Sequence, residues 1–74
     1  MQIDPQRVLV ERAMWLLHDY DQNPDVGWGL QIESAVDMAI THYTIEYGDE
    51  FPEAVDRTAA INTVRHRRSK RSRS

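Results

Sequence analysis

The stretch DPQRVLVERAMWLLHDY, residues 4–20, contains the pattern that determines the fold class. Asp4 is a residue type that caps helices, and Pro5 suits the first helical position because its missing N–H is not needed there. Apolar residues then recur at helical spacing on one broad face, and charged residues occupy the other. The apolar face comprises Leu9, Val10, Ala13, Met14, Leu16, Leu17 and Tyr20. The stretch therefore predicts an amphipathic helix from Pro5 to about Tyr20.

A second helix is predicted after the turn-rich segment DQNPDVGWG, residues 21–29. It begins near Gly29 or Leu30 and ends at Gly48, because glycine is a frequent helix terminator in the left-handed conformation. Its apolar stripe consists of Ile32, Ala35, Val36, Ala39, Ile40, Tyr43 and Tyr47.

A third helix is predicted from residues 49–53, where acidic side chains occupy the first turn and interact favourably with the helix dipole. Nothing in RHRR, residues 65–68, would stop this helix. Its expected buried edge is Phe51, Ala54, Val55, Thr58, Ile61 and Val64. No segment shows sustained strand alternation, so the sequence predicts an all-α, three-helix bundle. Residues 1–64 form its acidic body, and residues 65–74 form a basic tail or an extension of the last helix.

A chain of 74 residues without cysteine has no disulfide to support its small core, so packing or a partner subunit must do so. Two pairs of apolar residues lie outside the predicted stripes. One interpretation is that the third helix covers one pair and the other is partly exposed. The alternative is a helical homodimer, with Val8, Trp15, Met38 and Ile45 at its interface.

The charge of the chain is divided very unevenly along its length. Residues 1–56 contain all 12 acidic residues and only two cations, a net −10, whereas residues 57–74 contain seven cations. Such an asymmetry indicates a terminus with a binding role of its own. The candidate contacts to nucleic acid, or to another polyanion, are Arg65, Arg67, Arg68, Lys70, Arg71 and Arg73. Docking of this tail on Asp19 and Asp21, a targeting role and no specific role are the alternatives.

Other kinds of site are disfavoured by spacing. The acidic loop from Asp19 to Asp25 fails the calcium-loop pattern at its glycine and bidentate-glutamate positions, so no metal is expected. A helix-turn-helix DNA-binding motif is disfavoured, because its recognition helix would bring the acidic side chains of Glu50, Glu53 and Asp56 next to the DNA phosphates. His18 and Asp19 are adjacent and project differently from a helix, so no catalytic pair and no cofactor are expected.

Together these features predict a small non-enzymatic regulatory or adaptor protein, of the size common in phages and plasmids. Its body is expected to bind protein, including its own copy, while its tail contacts nucleic acid without reading sequence. The alternative is an inhibitor or antitoxin-like protein whose acidic body occupies a basic site on a target. The lack of an apolar run or cleavage signal favours the cytoplasm and no membrane contact.

Overall fold

The computed structural model describes residues 4–23 and 30–72. They form four helices: α1 (Pro5–Gln22), α2 (Ile32–Tyr47), α3 (Glu50–Ala54) and α4 (Arg57–Ser72). No strand occurs in these two ranges, so the all-α class is confirmed. The predicted number of helices was wrong, because the expected third helix is divided into α3 and α4.

The first helix follows its prediction closely. Asp4 is the N-cap, and its carboxylate accepts hydrogen bonds from the backbone N–H groups of Gln6 at 3.1 Å and Arg7 at 3.4 Å. These bonds satisfy donors that a helix start leaves without intrahelical partners. Pro5 occupies the first helical position, as predicted.

The second helix begins later than predicted. Its first residue is Ile32, and Leu30 packs against the core from outside the helix. Gly48 follows the last residue with φ 93°, and its N–H donates to the carbonyl of Thr44 at 2.8 Å. The positive φ agrees with a glycine terminator, but its ψ of −178° is extended rather than left-handed helical.

The break between α3 and α4 has a geometric reason. In one continuous helix, Phe51 and Val64 would point about 140° apart, since each residue turns the helix by about 100°. Both are buried, which requires the chain to change direction between them. Val55 is extended (φ −118°, ψ 156°), and α4 begins two residues later. Because the bend shifts the helical phase, Ala54 and Thr58 are exposed instead of buried as predicted.

Asp56 fixes the start of α4. Its carboxylate accepts a hydrogen bond from the N–H of Ala59 at 3.0 Å, the geometry of an N-cap. The side chain of Gln6 then pairs with the Asp56 backbone in both directions, accepting from its N–H at 2.7 Å and donating to its carbonyl at 3.0 Å. These bonds attach the start of α4 to the start of α1.

Contacts along the helices determine their relative directions. α4 contacts α1 near its beginning through Gln6 and near its end through an Arg68–Asp21 ion pair, so these two helices are parallel. α4 contacts α2 in the opposite order, with Arg57 at Asp37 and Arg65 at the earlier Glu33. The second helix is therefore antiparallel to both of the others.

The core lies where α1, α2 and α4 meet, and α3 closes one end with Phe51. Alanine provides much of this core, and small side chains allow helices to approach closely. The buried apolar residues are Leu9, Val10, Ala13, Leu17, Ala35, Val36, Ala39, Phe51, Ala60, Ile61 and Val64.

Candidate interaction surfaces

One surface of the molecule, formed by α1 and α2, carries large apolar side chains in contact with solvent. Ile45 is 82% exposed, Trp15 is 53% exposed and Met38 is 40% exposed, whereas Val8 is half-buried. These are the four residues that the sequence analysis assigned to a protein interface. In each pair the residues are seven apart and so share one side of their helix. We call this surface the α1–α2 face.

A groove of 460 Å³ lies between the two helices on the same face. Leu16 and Met38 give it apolar walls, and polar groups surround them. The lining residues are Arg12, Leu16, Asp37, Met38, Thr41 and His42. A groove with apolar walls and a few polar groups is the usual form of a binding site.

Arg12 is the basic residue of this groove, and it was not among the predicted site residues. Its guanidinium carbon lies 5.2 Å from the centroid of the Trp15 ring, a distance typical of a cation–π contact. Its Nε is buried and has no hydrogen-bond acceptor among the described residues. A buried donor without an acceptor is costly. The i,i+3 spacing of Arg12 and Trp15 was the available sequence signal, since it makes the two side chains neighbours.

The carboxylate at the groove is already engaged. Asp37 accepts from Arg57 Nε at 2.7 Å and from a terminal nitrogen of the same guanidinium at 3.1 Å. These hydrogen bonds from Arg57 lower the pKa of Asp37 below its ordinary value. Of the other polar groups on the groove wall, Arg12 can only donate hydrogen bonds, whereas Thr41 and His42 can donate or accept them.

His42 lies at the edge of the groove. Its Nε2 is 3.7 Å from a carboxylate oxygen of Glu46, one turn further along α2. The His42 ring also meets the ring of Tyr43 edge-on, with 5.3 Å between centroids. No local sequence pattern indicates that His42 lines a groove.

The basic C-terminal segment continues α4 through Ser72, and the cations whose side chains are described fall into two groups. Arg65 and Arg68 point back to the body, where their guanidinium nitrogens lie 3.9 Å from Glu33 and 3.4 Å from Asp21. The sequence had suggested docking on Asp19 and Asp21. Asp21 takes part, but both Asp19 oxygen acceptors, the carbonyl and the carboxylate, receive hydrogen bonds from Asn23.

Arg67 and Lys70 form the second group, and together with the neighbouring His66 we call them the outer basic stripe. Their spacing of one and four residues places them on one side of α4, and all three are exposed. No ion pair involves them within residues 4–23 and 30–72. Of the other predicted contacts, Arg71 is within α4 but its side chain is outside the description, and Arg73 lies outside the described residues.

An acidic corner occupies the opposite end of the molecule. It consists of Asp49, Glu50 and Glu53, which are exposed and form no ion pair in the described part of the chain. α1 spans the distance between this end and the outer basic stripe. With 18 residues, α1 is about 27 Å long. The two charged ends are therefore well separated.

Two other kinds of site were examined in the described ranges. No group of three or more histidine or acidic residues there is arranged to hold a metal ion. Asp25, part of the tested calcium loop, lies outside those ranges. No helix in the described ranges combines the length and apolar character needed to cross a membrane.

The chain was compared with known proteins at three levels. It matches no family model, no curated protein and no solved structure.

Proposed function

We propose that this chain is a small non-enzymatic adaptor that binds protein through its α1–α2 face, beginning with its own copy, and nucleic acid through α4. The observation that supports protein binding is that small side chains are buried on α1 and α2 while large apolar ones are exposed. Ala13, Ala35 and Ala39 are buried on α1 and α2, while Trp15 and Ile45 are exposed on the same two helices.

Burial of these exposed side chains in an interface would be worth more than any of the alanines inside. Fully burying one large apolar side chain contributes about 1.5–3 kcal/mol. A chain this small has a total stability of only a few times that amount. Contiguous exposed apolar surface is also a usual mark of a protein-binding site. These arguments favour a face that is covered in the working form of the protein.

The nucleic-acid contact is proposed for the outer basic stripe. Arg67 and Lys70 are exposed cations, and neutralising phosphates with such side chains yields affinity that does not depend on base sequence. Along α4, Arg67 lies about 15 Å from Arg57, where the helix starts shortly after the acidic corner. Charge is screened over about 8 Å at physiological ionic strength, so the corner hardly opposes binding at the other end.

The test of this contact is the salt dependence of binding to a labelled DNA duplex. Each phosphate contact that is lost should make the slope of log affinity against log salt shallower by about one. We expect this change for Arg67→Gln and for Lys70→Gln. Arg7→Gln is the matched control, because Arg7 is an exposed arginine near the other end of α1, paired with Glu11 at 3.1 Å.

Equal slopes for Arg67→Gln and Arg7→Gln would contradict a contact at the outer basic stripe. Absence of duplex binding at low salt would remove the nucleic-acid part of the proposal. Neither result depends on the α1–α2 face, so the protein-binding part is tested separately.

The acidic corner supports a second candidate function, an inhibitor that occupies a basic site on a target. Its carboxylates are exposed and have no cation beside them in the described structure, so they are available to a basic partner. A cationic peptide should then bind the wild type and lose affinity for the Glu50→Gln/Glu53→Gln variant. Unchanged affinity for that variant would reject this candidate.

A further inference from the structure

The α1–α2 face contains both a groove and, at its edge, the side chain best suited to fill such a groove. Trp15 is next to Leu16 in sequence and touches Arg12, and both of those residues line the groove. A volume of 460 Å³ lies in the range of about 300–1,000 Å³ that accommodates small ligands, so it is large enough for one aromatic side chain. Trp15 is not among the residues that line the groove of its own chain, and it is 53% exposed.

A two-fold dimer would use both features at once. In such an interface the same surface of each copy meets the other. If a side chain of one copy enters a site on the second, the same side chain of the second copy therefore enters the same site on the first. A single face that carries both the groove and the Trp15 side chain can therefore bind a second copy of itself.

The α1–α2 face also carries two opposite charges, Glu11 and Arg12, that could pair between two copies. Glu11 precedes Trp15 by one helical turn, so the two side chains are neighbours on α1. Arg12 on the groove wall is a cation that forms no ion pair within the described residues. A carboxylate that accompanies an incoming tryptophan would pair with the Arg12 guanidinium on the groove wall, which would also face the new indole ring.

We propose that the chain forms a two-fold dimer in which Trp15 of each copy enters the groove of the other, and Glu11 meets Arg12 across the interface. Met38 and Leu16 then contact the indole ring, with the Met38 sulfur suited to an aromatic neighbour. This inference rests on the self-association proposed above and specifies its geometry.

The test is complementation between two variants of the full-length chain. Trp15→Ala removes the inserted side chain but leaves the groove open. Thr41→Phe fills the groove but leaves Trp15 in place. Both positions are exposed, so neither change disturbs the core, and circular dichroism checks that each variant is folded.

Each variant alone should dimerise at least about tenfold more weakly than the wild type, since a homodimer of either one lacks both insertions. A mixed dimer regains one insertion, with Trp15 of the second variant in the open groove of the first. Native mass spectrometry of an equimolar mixture should therefore show heterodimers as clearly more than half of all dimers, the statistical share.

The outcomes distinguish the exchange of Trp15 from the self-association on which it rests. A wild type that is monomeric at high micromolar concentration would overturn both. A wild type that dimerises, with variants that dimerise equally well or mix only statistically, would overturn the exchange of Trp15 and leave self-association standing.

A second measurement addresses the charged contact. Arg12→Gln and Glu11→Gln should each weaken dimerisation, and the double variant should be no weaker than the single ones, as expected for directly coupled residues. Arg7→Gln is the control, because Arg7 engages Glu11 within one chain and its loss should not weaken the dimer. Additive effects of Arg12→Gln and Glu11→Gln would rule out this contact.

Discussion

Gln6 and Asp56 show how two polar side chains set the path of the C-terminal half. Asp56 caps α4, and Gln6 holds the Asp56 backbone from 50 positions earlier in the chain. An aspartate at a helix start is a recognisable signal, but the helix-start pattern of residues 49–53 before it led to the prediction of one continuous helix. The partner Gln6 had no sequence signal, since a long-range side-chain contact leaves no local pattern.

Removing this cap gives a prediction at the residue scale. Asp56→Ala should lower the free energy of unfolding by about 0.5–2 kcal/mol, because the N–H of Ala59 loses its acceptor. Urea denaturation measures the change. Asp49→Ala is the matched control, since Asp49 precedes α3 without a side-chain capping bond and should cost little. Equal losses for the two variants would show that the Asp56 cap does not stabilise α4.

The amphipathic pattern predicted α1 and most of α2 because each helix buries a single stripe. It could not place the break between α3 and α4, because Phe51 and Val64 are each compatible with helix locally and conflict only when both must reach one core. The candidate interface residues could be selected from the sequence for a related reason: Trp15, Met38 and Ile45 lie off the stripes, and the structure leaves them exposed. The groove and Arg12 required the actual packing of α1 against α2.

The contact between α2 and α4 gives a pH prediction at the scale of elements. The hydrogen bonds from Arg57 lower the pKa of Asp37 from its ordinary 3.8, so the folded state favours the ionised carboxylate. The stabilisation is therefore complete above the unfolded pKa, near pH 4, and is lost as the pH falls through the lower folded value. The effect should be small, because both side chains are about half exposed.

The measurement is the melting temperature of the wild type and of Asp37→Asn between pH 7 and pH 2. The wild type should melt slightly higher at pH 7, and the difference should vanish at the acid end. Asp49→Asn is the control, because that carboxylate has no ion pair in the described ranges. A difference for Asp37→Asn that persists unchanged to pH 2 would contradict the role of the Arg57 bond.

At the scale of the whole molecule, the charge and apolar surfaces occupy different places. The outer basic stripe and the acidic corner lie at opposite ends of α1, and the α1–α2 face runs between them. The charge asymmetry was visible in the sequence, but the sequence did not show which of the cations pair with the body. Arg65 and Arg68 contact Glu33 and Asp21, whereas Arg67 and Lys70 are exposed, because α4 remains helical through the basic segment.

The central claim is that the α1–α2 face is covered by a second copy of the chain, and sedimentation equilibrium tests it most directly. Wild-type protein at high micromolar concentration should have twice the mass of one chain, and Trp15→Ala should shift the equilibrium toward the monomer. A wild type that sediments as a single chain throughout this range, with Trp15→Ala indistinguishable from it, would contradict the claim.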